Sequence, residues 1–163
     1  MFRQLACRPA WTKVGYGTTN HGNVGYGRGH NLSILQSTST YHLILNPDVV
    51  LTEGSLQLGI DFMAANQELV ALSPAVTFED GSKQYGCKRF PSVLDFLLRG
   101  FAPQAIKQRF AQRLAHYEMQ DLPEDSPSTD IPIISGCFML FKTSTLVAIK
   151  GFDERYFLYF EDF

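Results

Sequence analysis

The chain has 163 residues, 45% hydrophobic, 18% charged and 13% aromatic, with 13 Gly and 8 Pro; this is the composition of a folded domain and excludes a collagen-like or largely unstructured chain. Its net charge of −2 supplies no positive field to draw it onto nucleic acid. Cys7, Cys87 and Cys137 are an odd number at wide spacing without a Cys-x-x-Cys pair, which argues against a zinc or disulfide framework and for a reduced, cytoplasmic setting.

The N-terminus has no apolar run of signal-peptide length, and no stretch is long and apolar enough to span a bilayer. Residues 15–31 are too rich in Gly and Asn for an element interior and read as a loop, with a helix from Asn31 to about Ser39 for which Asn31 offers an N-cap. Tyr41–Leu45 is a short apolar run stopped by Asn46-Pro47-Asp48, the pattern of a buried strand ending in a turn. Ser55 to about Asn66 fits a helix with Leu56, Ile60 and Met63 on one face. Strand-like stretches follow at 70–73 and 75–78, then a turn at Glu79–Ser82. Residues 91–119 read as two helical pieces broken near Gly100 and Pro103, the second with Lys107, Arg109 and Arg113 on its polar side. The acidic stretch 121–130 is a loop. Ile131–Phe141 reads as one strand with Ser135-Gly136-Cys137 in its middle, and Thr143–Lys150 as a short helix closed by Gly151. Alternating helix and strand predicts an α/β sheet, with ligands beyond the carboxyl ends of its strands.

Three features could carry chemistry. Asp48, at a strand's carboxyl end, suits a hard divalent cation, although Asn-Pro-Asp alone reads first as a turn. Glu161 and Asp162 follow an aromatic run whose apolar surroundings can raise a carboxylate pKa toward the range of a general base, and two solvated acids are the plainer reading. The Gly/Asn loop lets backbone N–H groups approach a ligand, but it matches neither GxGxxG nor the lysine-bearing P-loop. The basic helix residues fit either a solvated face or an anionic membrane surface.

In order, these segments resemble a known family. Asn23-Val24-Gly25-Tyr26-Gly27-Arg28-Gly29-His30-Asn31, Asn46-Pro47-Asp48, Arg89-Phe90-Pro91, and Ser135-Gly136-Cys137-Phe138-Met139-Leu140 running through Gly151-Phe152-Asp153-Glu154 to Glu161-Asp162 are similar to the ordered motifs of rhamnosyltransferase-like family 2 glycosyltransferases. The resemblance implies a GT-A-like (Rossmann-like) mixed sheet flanked by helices. It implies inverting transfer of a sugar, rhamnose from its dTDP donor, to a lipid-linked or polysaccharide acceptor in bacterial surface polysaccharide synthesis. Carried over residue by residue, Asp48 would bind a divalent cation (Mg or Mn) and Asp162 would be the general base, with Glu161 in support. Asn23, Gly25, Gly29, Asn31, Asn46 and Gly136 would line the nucleotide-sugar. The implied setting is cytoplasmic, peripheral to the inner face of the cell membrane, with no nucleic-acid partner.

The same resemblance marks departures. Family members begin with two strands that hold the nucleotide base and continue past Glu-Asp, so residues 1–163 are expected to form a partial, incomplete catalytic domain. The alternative is a non-catalytic α/β module that binds nucleotide-sugar, or an inactive truncated product.

Overall fold

The structure is a computed structural model that describes residues 22, 24–123 and 126–156. The chain forms two compact units, one built from the sequence through Leu72 together with that from Phe138 onward, the other from Ser73–Cys137. Neither junction is marked by a shift in composition.

The first unit is organised around β1 (Tyr41–Leu45), which has the bounds the apolar run predicts. Its ladder stops at Asn46-Pro47 because proline has no N–H to contribute. In the unit's sheet, a later strand, Phe138–Lys142, runs between β1 and β2 (Ala71–Leu72) and is antiparallel to both, with register Tyr41↔Lys142 through Leu45↔Phe138 on one side and Leu72↔Leu140 on the other. The helix α2 (Ser55–Ala65) lays its expected face on this sheet: Met63, Phe138 and Leu140 are the buried centre, with Leu43, Leu56, Ile60 and Leu72 packed around them. Gly59 lets the helix come close, since a Cβ there would stand 3.4 Å from the Leu140 side chain and 3.6 Å from that of Leu72. Before β1 comes α1 (Tyr26–Ile34).

In the second unit, β3 (Val76–Thr77) and β4 (Lys83–Gln84) form a hairpin. The expected turn closes it: the Phe78 N–H bonds the Ser82 carbonyl at 2.8 Å, and the Asp80 carboxylate accepts from the Ser82 N–H and hydroxyl at 2.8 and 2.6 Å. β5 (Cys87–Lys88) pairs antiparallel with β6 (Ile133–Ile134). Between them run three helices, α3 (Val93–Phe101), α4 (Gln104–Arg109) and α5 (Ala111–Tyr117). Cys87 and Cys137 are free thiols.

A capping box starts α3: the Ser92 hydroxyl accepts from the Asp95 N–H at 3.3 Å, and the Asp95 carboxylate accepts from the Ser92 N–H at 2.8 Å. Asp95 is buried, and Arg113 of α5 donates to it at 2.7 Å. Burial by itself raises the Asp95 pKa, but the hydrogen bonds from Ser92 and Arg113 outweigh it and hold the group below the usual aspartate range.

Several expectations are corrected. Every strand pairing among the described residues is antiparallel, so the chain is α/β but no mixed sheet is seen; apolar alternation encodes burial and not strand direction. Residues 131–141 are not one strand: β6 ends at Ile134, and β7 (Phe138–Lys142) starts in a different sheet. Ser135-Gly136-Cys137 is therefore a passage between sheets and not a strand interior. The helical stretch falls into three pieces, because Pro103 ends one run and Phe110, at φ −106° and ψ 19°, separates the next two. Finally, the Gly-rich segment is helical from Tyr26, and Asn31 lies inside that helix instead of capping it. Gly27, Asn31 and Ile34 form its buried stripe, so tertiary burial outweighs the poor helix propensity of two glycines.

Candidate functional site

The first unit joins two of the sequence motifs through one side chain. Asn31 is only 3% exposed. Its amide nitrogen donates to the Phe152 carbonyl at 2.9 Å and to Glu154 Oε1 at 3.1 Å, while its Oδ1 accepts from the Phe152 N–H at 2.9 Å. The Gly/Asn segment is thereby fastened to Gly151-Phe152-Asp153-Glu154, although 121 residues separate Asn31 from Phe152. Around this joint Tyr26, His30 and Phe152 stack edgewise, with ring centroids 4.5 Å apart for Tyr26–His30 and 5.8 Å for Tyr26–Phe152. These bonds tie α1 to residues 152–154.

Gly151 makes the joint sterically possible. It follows α6 (Thr143–Ala148), where the Gly151 N–H bonds the Leu146 carbonyl at 2.8 Å and the Lys150 N–H bonds that of Val147 at 3.1 Å. These are the two bonds of a Schellman ending, with Lys150 at φ 66° and Gly151 at φ 72°. The cap expected at Gly151 is present, with the left-handed region starting one residue earlier. A Cβ on Gly151 would fall 2.1 Å from Asn31 Oδ1.

The other site residues are distributed as follows. Gly25 precedes α1 with φ 90°, a conformation that favours glycine, and its carbonyl accepts from the Gly29 N–H at 3.1 Å. Gly29 is on the open side of α1, where an added Cβ would meet nothing within 4 Å. Asn46 and Asp48 follow β1 directly, and the Asn46 carbonyl accepts from the Val49 N–H at 3.2 Å to make the turn. Asp48 is exposed, with no hydrogen bond or ion pair to its carboxylate among the described residues. Gly136 belongs to the second unit. Asn23, Glu161 and Asp162 lie outside the described residues.

Among the described residues no three His, Cys, Asp or Glu side chains gather as a metal site. A lone strand-end carboxylate still fits a hard cation of the kind that takes one or two carboxylates and fills its shell with water and substrate phosphate.

The basic residues of the second unit are largely engaged. Arg113 meets Asp95, Arg99 donates to the Tyr117 hydroxyl at 3.2 Å, and Lys107 donates to the Arg99 carbonyl at 2.9 Å. The Arg89-Phe90-Pro91 element is also structural in part. Arg89 grips Asp121 through two bonds of 2.9 and 2.8 Å, and this grip holds the Asp121 carboxyl down at about 2. Arg89, Phe90, Ser92, Asp95, Arg113, His116 and Tyr117 line a cavity of about 350 Å³, which no sequence signal announced.

His30 and His42 give a pH dependence. Burial lowers both pKa values from 6.5, and the neighbouring His42 lowers that of His30 further. The unfolded chain therefore takes up protons first as pH falls through about 6.5, and stability falls from there down to the lowered native values. We expect the urea midpoint to drop between pH 7.5 and 5.5, well above the range where the Asp121 and Asp153 carboxyls, both at about 2, titrate. His42→Gln should flatten the drop; an unchanged pH profile in that variant would exclude His42 as its source.

Curated proteins similar to this chain include rhamnosyltransferases. They include rhamnosyltransferase WbbL of Escherichia coli (strain K12), 28% identical over 151 residues, which are 84% of this chain and 52% of that protein. An N-acetylglucosaminyl-diphospho-decaprenol L-rhamnosyltransferase of Mycobacterium tuberculosis (strain ATCC 25618 / H37Rv) is 30% identical over 155 residues, 86% of this chain and 48% of that protein. The chain thus spans about half the length of the curated relatives it matches. No family model matches it, and no solved structure does. The resemblance to rhamnosyltransferases carried by the ordered motifs is met by these relatives.

Proposed function

We propose that this chain is part of the catalytic domain of an inverting, metal-dependent glycosyltransferase. In this reading it moves rhamnose from dTDP-rhamnose to a lipid-linked acceptor in surface polysaccharide synthesis. The observation that carries this reading is the 28% to 30% identity to rhamnosyltransferases over 84% to 86% of the chain. The finer fold assignment, a GT-A-like arrangement, belongs to the same reading.

In this mechanism the Asp162 carboxylate takes the proton of the acceptor hydroxyl as its oxygen attacks the anomeric carbon; the bond to the diphosphate breaks, and nucleoside diphosphate leaves. Glu161 supports the base. Asp48, with Asn46 beside it, would hold the divalent cation, and the chemistry such an ion supplies when bound is neutralisation of charge on the leaving diphosphate. Asn23, Gly25, Gly29 and Asn31 lie along the donor, and Gly136 leaves room for donor or acceptor. The Asn31 amide also bonds the Phe152 backbone, which ties α1 to that segment. The acceptor class follows the name of the mycobacterial relatives, and the setting is the cytoplasmic face of the membrane.

The test is a transfer assay of the protein with a panel of nucleotide-sugars and a lipid-linked sugar diphosphate, with and without chelator. We expect chelator-sensitive consumption of dTDP-rhamnose and a product whose anomeric configuration is opposite to the donor's. Nucleotide-sugar binding without turnover would instead identify a non-catalytic binding module.

A further inference from the structure

The helix α3 is built inside out for a helix of a water-soluble unit, which ordinarily turns its apolar stripe to the core. Its buried residues are Asp95 and Leu98. Its large apolar side chains face outward: Val93 is 77% exposed, Leu97 51% and Phe101 84%, with Leu94 and Phe96 at 41% each. At 100° per residue these positions fall in one arc of about 160°, a continuous apolar face. Phe90, just before the helix, is exposed as well. The capping box and the Arg113–Asp95 pair at 2.7 Å fix the rotation of the helix that presents this face.

Charge selects the occupant. From Val93 to Arg113 the sequence carries Arg99, Lys107, Arg109 and Arg113 against the single acid Asp95, and Arg113 is spent on that acid. Arg99 is turned to the buried Tyr117, whose hydroxyl it bonds at 3.2 Å, which leaves Lys107, bonding the Arg99 carbonyl at the helix end, and Arg109, exposed on α4, as the cations beside the face. A second copy of the chain docked on this face about a two-fold axis would bring like charges together. A bilayer with anionic headgroups satisfies both the apolar face and its cations, the combination found in helices that lie in the membrane interface. Among the described residues no helix is long and apolar enough to cross a membrane, so the contact is with the surface.

We propose that the outward face of α3 is an interfacial membrane-docking surface: Val93, Leu97 and Phe101 enter the boundary between headgroups and acyl chains, and Lys107 and Arg109 meet anionic headgroups. This deepens the reading of a transferase acting on a lipid-linked acceptor and rests on that reading only for its purpose. The test contains no sugar, so failure of docking and failure of transfer are read separately.

The experiment is co-sedimentation of the protein with vesicles of equal parts phosphatidylcholine and phosphatidylglycerol, and with phosphatidylcholine alone, at low and high salt. We expect binding to the mixed vesicles at low salt, weakened by salt and much weaker on phosphatidylcholine. Leu97→Asp with Phe101→Asp should lower partitioning about tenfold or more, the loss expected for withdrawing buried apolar side chains, while circular dichroism stays that of the parent. Phe101→Ser is a milder variant should the pair disturb the fold. Arg109→Gln should cost about fivefold on the mixed vesicles and nothing on phosphatidylcholine. Absence of binding at low salt would overturn the proposal. So would binding by the paired variant equal to the parent's, or a dimer that the paired variant abolishes in a protein that ignores vesicles.

Discussion

Asp48→Asn should lower sugar transfer by about a hundredfold or more, because stabilisation of a departing diphosphate by a bound cation is worth several kcal/mol and asparagine brings no charge to hold the ion. The substitution should leave stability alone: Asp48 is exposed in the turn after β1, and no bond to its carboxylate is lost among the described residues. Two readouts separate the metal role from a structural one. The parent should lose activity on chelation and recover it with Mg or Mn, whereas the residual activity of the variant should be indifferent to chelator. A variant that keeps full, chelator-sensitive turnover would remove Asp48 from the metal site and leave Asn-Pro-Asp as the turn that it also forms.

Gly151→Ala should destabilise the first unit by about 3 to 5 kcal/mol, a large share of the stability of a typical domain. Two costs combine. Alanine at φ 72° pays about 1 to 2 kcal/mol for the left-handed region. Its Cβ would also stand 2.1 Å from Asn31 Oδ1, so the Asn31 amide must move and leave buried groups of the joint unpaired, at about 1 to 3 kcal/mol for each group. The two terms can be separated by a double-mutant cycle. In an Asn31→Ala background the clash is gone, and Gly151→Ala should then cost only the backbone term. Chemical denaturation of the four proteins measures this directly; equal costs of Gly151→Ala in both backgrounds would mean that Asn31 does not oppose the Cβ. Because the joint fastens α1 to residues 152–154, Asn31→Ala should also weaken nucleotide-sugar binding if Gly25 and Gly29 lie along the donor.

Neighbouring residues were enough to determine much of this protein. The bounds of β1, Tyr41–Leu45, follow from an apolar run closed by proline, and the face of α2 follows from apolar residues at helical spacing. The turn at Glu79–Ser82 and the glycine ending of α6 follow from local backbone chemistry, which acts over four or five residues wherever the segment lies. The order of the motifs also sufficed to find the resemblance to rhamnosyltransferases. Tertiary structure alone decided the rest. A helix spanning Gly27 and Gly29 exists because Asn31 and Ile34 are buried, and Asn31 is paid for by partners 121 and 123 residues away. The break of 131–141 into strands of two sheets depends on the partner each half finds. The outward apolar face of α3 depends on Arg113, 18 residues on, reaching a buried carboxylate. Hydrophobic periodicity tells which residues share a face, but which face is buried is settled by whichever distant group can satisfy the polar atoms taken inside.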